Sequence, residues 1–81
     1  MDYRALLEER FARGLDMAAL RVAGLEGEEF DAALKNLLGL FFERYIEALK
    51  RPLMEGEAAG LRGAFVAAVL ARHERQQPGR A

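Results

Sequence analysis

The sequence predicts a small all-α bundle of three to four helices, and three observations predict it. The 81 residues include 15 alanines and 13 leucines, but only four β-branched side chains: Val22, Ile46, Val66 and Val69. That is a helix-forming composition and a poor one for strands. Apolar residues recur three and four positions apart rather than in alternation, which is the period of a helix with one buried face. Glycine and proline fall between these runs, at Gly14, Gly24, Gly27 and Pro52, where they end helices.

The first helix is predicted over 2–13. Asp2 is placed to cap it, and Tyr3, Leu6, Leu7 and Phe11 share one side. Gly14 predicts a break, followed by a shorter helix over 15–23 with Leu15, Ala19, Leu20 and Val22 as its apolar set. Gly24 suits the left-handed position that closes a helix, and Leu25 suits the apolar residue that packs back on the last turn. Glu28, Glu29 and Asp31 then put negative charge at the positive end of a third helix, predicted over 28–50. Pro52 stops that helix and suits the opening of the fourth, over 54–76. In the fourth helix Leu61, Phe65, Ala68 and Val69 form one face. Gly56, Gly60, Ala64, Ala67 and Ala71 form a line of small residues that would admit a neighbouring helix backbone. Arg72, His73 and Arg75 complement its C-terminal end. One domain is expected over 1–76, with a frayed tail over 77–81.

Composition removes whole classes of function. There is no Cys, Ser or Thr, which excludes their nucleophiles, thiolate metal sites, disulfides and Ser/Thr phosphorylation. A net charge of -1 gives no overall field for nucleic acid or an anionic membrane, although residues 1–34 are acidic and residues 35–81 basic. No apolar run approaches the ~18 residues of a membrane span. Met1, Asp2, Tyr3 and Arg4 lack the pattern of a signal peptide, so a cytoplasmic protein is expected. Ten arginines against two lysines point to a GC-rich genome and a thermophilic source.

Several motifs bear on chemistry. Residues 15–37 have the spacing of a helix-turn-helix corner, with Phe30, Ala33 and Leu34 inward. A recognition helix there would offer phosphates Glu26, Glu28, Glu29 and Asp31, which repel them. A corner without DNA is therefore the better reading, and a small DNA-binding regulator is the alternative. Arg72, His73, Arg75 and Arg80 are a weak basic signal. His73 is the only histidine and is expected to face solvent. Glu43 and Glu47 share a helix side but lack the histidine partners of a di-iron site. Tyr45 lies on the main apolar stripe and is expected in a core or interface, with Arg44 beside it on the chain. The glycines of the fourth helix lack the Lys-Ser/Thr ending of a phosphate loop. No cofactor, metal or catalytic group is expected, and the chain reads as no enzyme.

The third helix carries the main expectation. One stripe runs through Phe30, Leu34, Leu37, Phe41, Tyr45 and Ala48, and a second through Leu38, Phe42, Ile46 and Leu49. Ala33 and Leu40 widen the arc to about 240°, where a surface helix needs little more than ~100°. With Val66 and Leu70 on the fourth helix, this is more apolar surface than so small a chain is expected to cover. The sequence therefore predicts a self-associating interaction or assembly module, or an accessory subunit. It would pair with itself, as a homodimer or tetramer, or with another protein. The predicted interface is Leu38, Phe42, Ile46 and Leu49, with Val66 and Leu70. Nucleic acid and membrane are not expected partners.

Overall fold

A computed structural model describes residues 2–75. It is an all-α bundle of four helices, α1 (Tyr3–Arg10), α2 (Ala12–Arg21), α3 (Gly27–Leu49) and α4 (Glu57–Arg75). The predicted tail over 77–81 and the last predicted residue of the fourth helix, Gln76, lie outside the described residues. No helix among the described residues is long and apolar enough to cross a membrane.

α1 starts where Asp2 was expected to start it. The Ala5 N–H donates to Asp2 Oδ1 at 3.1 Å, satisfying one of the amides a helix start leaves open. The break after α1 falls at Phe11, not at the predicted Gly14. Phe11 leaves helical geometry (φ −126°, ψ 24°), yet its N–H still donates to Leu7 O and its carbonyl still accepts from Leu15 N–H. The kink thus loses little hydrogen bonding. It is held by the ring, which sits edge-on to Phe41 at 5.7 Å and beside Tyr45 at 5.4 Å. Gly14 lies inside α2, with nothing within 4 Å of the position a Cβ would take. Its freedom is not used there.

α2 buries Leu15, Ala18 and Ala19. It ends in a turn where Gly24 takes φ +83° and Leu25 N–H donates to Val22 O at 3.1 Å. Leu25 then packs against the core, as a residue closing a helix end does. Leu20, predicted on the apolar side of this helix, is instead exposed. α3 ends on Lys50 in the left-handed conformation (φ 59°, ψ 33°), whose N–H donates to Ile46 O at 2.9 Å.

α4 begins later than predicted. Pro52 precedes it in a non-helical link rather than opening it, and Gly56 turns the chain at φ +82°. Glu57 sets the start. Its carboxylate accepts from Met54 N–H at 2.8 Å and receives two parallel bonds from the Arg51 guanidinium at 3.0 and 3.1 Å. This clamp is bidentate, and the Arg51 hydrogen bond holds the Glu57 carboxyl below the usual carboxylate range.

α4 is the central helix, in contact with α1, α2 and α3. Its predicted face, Leu61, Phe65, Ala68 and Val69, is buried against Leu7, Leu15, Val22, Leu34, Phe41 and Tyr45. The small-residue line meets α1 at one described point. At Gly60 it admits the Tyr3 ring, which a Cβ would overlap. Ala67 is exposed, and Gly56 precedes the helix. α3, the longest helix, has contacts with α2 and α4 but no backbone contact with α1. One of its flanks is consequently left unwalled along α1.

Candidate functional site

The six predicted interface residues divide into two groups. Leu38, Phe42, Leu49 and Val66 are half-buried and packed against the core. Leu38 and Val66 share a shallow groove between α3 and α4, with Leu34 beneath them and Asp31, Lys35 and Arg62 around it. Ile46 and Leu70 remain 37% and 38% exposed. The single chain thus covers part of the second α3 stripe, because α4 packs against it. The side chains left most open on this face are Ile46 and Leu70.

The opposite flank of α3 is barer. Leu40 is 54% exposed, and across from it Met17 of α2 is 57% exposed. They rim a cleft of about 280 Å³ between α2 and α3, lined deeper by the buried rings of Phe41 and Phe65 and by Phe11. The Phe41 ring lies 4.8 Å from that of Phe65, nearly parallel to it. Arg21 and Arg44 are the only charged residues lining this cleft. Past Gly14 it widens into a trough where Arg10 and Arg13 face Glu43 and Glu47 across the gap between the α1–α2 kink and α3. Sequence reasoning did not single out this side. A signal was present, since Met17 and Leu20 stand opposite Leu15, Ala18, Ala19 and Val22 and make α2 apolar on both sides.

No protein-family model matches this chain. No curated protein and no solved structure matches it either. Its function has to be read from its own surfaces.

Several titratable groups are tied into the fold. Arg72 lies in the last turn of α4 as expected, and it also ties α4 to α1 and α2. Its Nη1 and Nη2 donate to the two Glu8 carboxylate oxygens at 2.7 and 2.6 Å, and its Nε donates to Asp16 Oδ1 at 2.7 Å. The hydrogen bond from Arg72 holds the Glu8 carboxyl below its ordinary value. His73, expected in solvent, is buried and tilts against the Phe30 ring at 4.8 Å. The reason is its register: it falls four residues after Val69, on the buried side of α4. Tyr45 is buried among the core rings, and burial pushes its phenol up. Glu43 and Glu47 stand exposed on the trough wall. Among the described residues no three His, Asp or Glu side chains gather as a metal ion would require.

The corner formed by α2, the 22–26 turn and α3 is present. Its leading edge exposes Glu26, Glu28, Glu29 and Asp31. A phosphate backbone approaching that edge meets four negative charges.

Proposed function

We propose that the protein is a non-enzymatic assembly module that pairs with a second copy of itself through the α3/α4 face. The observation that carries this reading is the exposure of two large aliphatic side chains, Ile46 and Leu70, beside the half-covered Leu38, Phe42, Leu49 and Val66. A two-fold axis would set the same patch of one copy against itself on the other. Ile46 and Leu70 are already more than half covered, so covering the remainder contributes about 0.5–1 kcal/mol each, which still counts in a domain this small. The helix-turn-helix reading gains nothing comparable, because its would-be recognition edge is acidic.

The test is native mass by light scattering. The intact chain should weigh at least twice 9.0 kDa. Phe42→Glu should also dissociate it, but Phe42 packs against the core, so that variant risks unfolding the monomer. Ile46→Glu combined with Leu70→Glu is the cleaner choice, since both side chains are more than one-third exposed. The double variant should run at monomer mass with unchanged helicity. A wild-type chain that stays monomeric at high concentration removes the proposal.

A further inference from the structure

The α2/α3 cleft is a different surface from the α3/α4 face. It combines an aromatic lining, an aliphatic rim and two positive charges, one of which, Arg44, also borders the trough that holds Glu43 and Glu47. Phe41 and Phe65 are buried behind it, and Met17 and Leu40 stand at its mouth, each more than half exposed. Both lining charges, Arg21 and Arg44, are positive. Neither makes a hydrogen bond or ion pair with any described residue, whereas Arg51 and Arg72 are each locked onto carboxylates. Guanidinium groups suit carboxylate oxygens because their N–H donors form a planar fork.

Size decides between classes of occupant. A helix with its side chains is about 10–12 Å across, and a cleft of about 280 Å³ does not enclose one. It lies near the lower bound of small-ligand sites, which run from about 300 Å³ upwards and combine an apolar lining with a few placed polar groups. We infer that this cleft binds a single-chain amphiphile with a carboxylate head. The chain would lie along Phe11, Phe41 and Phe65, and the head would sit between Arg21 and Arg44. Charge complementarity and volume together select this occupant. An uncharged chain would gain no contact from the arginines, and a cationic chain would be repelled by them.

The experiment is titration of the full chain with decanoate, below its micelle-forming concentration, followed by amide and methyl NMR shifts. Decyltrimethylammonium serves as the chain of opposite charge. Saturable decanoate shifts are expected at Gly14, Met17, Arg21, Leu40 and Arg44, with the cationic chain binding at least about tenfold more weakly. Arg21→Gln with Arg44→Gln should raise the decanoate Kd by about tenfold or more. Both residues are exposed and have no ion-pair partner among the described residues, so the variant should melt as the wild type does. Gly14→Met places a side chain where a Cβ meets open space at the cleft wall and should block binding while α2 stays folded.

Absence of saturation overturns the inference. Equal affinity for the two chains, or shifts confined to Ile46 and Leu70, does so as well. If a second copy occupies the cleft instead, native mass falls in the arginine double variant and decanoate does not bind, which also overturns it. Because Ile46→Glu with Leu70→Glu leaves the cleft intact, that variant should still bind decanoate, so the two proposals fail separately.

Discussion

Arg72 lies 64 residues from Glu8 and 56 from Asp16, and hydrogen-bonds to both. Its side chain is nearly buried, while the two acids keep much of their exposure. Arg72→Gln should therefore cost about 1–3 kcal/mol in chemical denaturation, at the low end of that range because freed carboxylates rehydrate. The same contact fixes a pH dependence. Hydrogen bonds from Arg72 and Arg51 depress the Glu8 and Glu57 carboxyls in the folded chain. In acid the unfolded chain then binds more protons than the folded one, so stability rises with pH there. The contribution is complete above the unfolded carboxylate value of about 4.3 and is lost as pH falls through the lower folded values. Melting temperature should drop steadily below about pH 5, and Arg72→Gln should flatten part of that slope. Equal slopes for the two chains would show that the Glu8 contact adds nothing.

At the scale of the helix, two glycines inside helices make opposite predictions. Gly14 sits within α2, and a Cβ there meets open space. Gly14→Ala should stabilise by about 0.5–1 kcal/mol, the helix cost that glycine carries. Gly60 sits within α4 under the Tyr3 ring, and a Cβ would overlap Tyr3 Cδ2 at 2.6 Å. Gly60→Ala should destabilise by about 1–3 kcal/mol, as overpacking does, unless Tyr3 swings clear. Thermal melts of the two variants check both signs at once. Composition and propensity alone would predict the same sign for both. The same contrast marks what the sequence made legible. α3, the Asp2 cap, the Gly24 turn and the buried face of α4 were all readable, because each depends on residues a turn or two apart. The kink at Phe11 was not, since it is held by Phe41 and Tyr45, thirty or more positions away. The start of α4 was missed because Glu57 sets it by gripping Arg51, which propensity does not register. Burial of His73 was readable from its register with Val69, but its contact with the Phe30 ring was not.

Across the whole molecule, length and apolar surface are coupled. The chain measures 42 × 23 × 19 Å with a radius of gyration of 13.0 Å, against about 12 Å for a compact domain of this length. The elongation fits a 23-residue α3, about 35 Å long at 1.5 Å per residue, lying beside shorter partners. The helical wheel shows that α3 is apolar over a wide arc. It could not disclose which side α4 would cover, and so it put Leu38 and Ile46 on equal terms although only Ile46 stays open. Nor could it reveal the α2/α3 cleft, whose lining comes from helices that meet only in the folded chain. If the open face is closed by a second copy, association and folding are linked, and the melting temperature must depend on protein concentration. Dilution by about a hundredfold should lower it by several degrees, because stability drawn from association follows the logarithm of concentration. In Ile46→Glu with Leu70→Glu the melting temperature should be lower and insensitive to dilution. A wild-type melting temperature that does not move on dilution into the range where monomers should prevail would show that α3 is stable with its flank in water, and the pairing reading would fall.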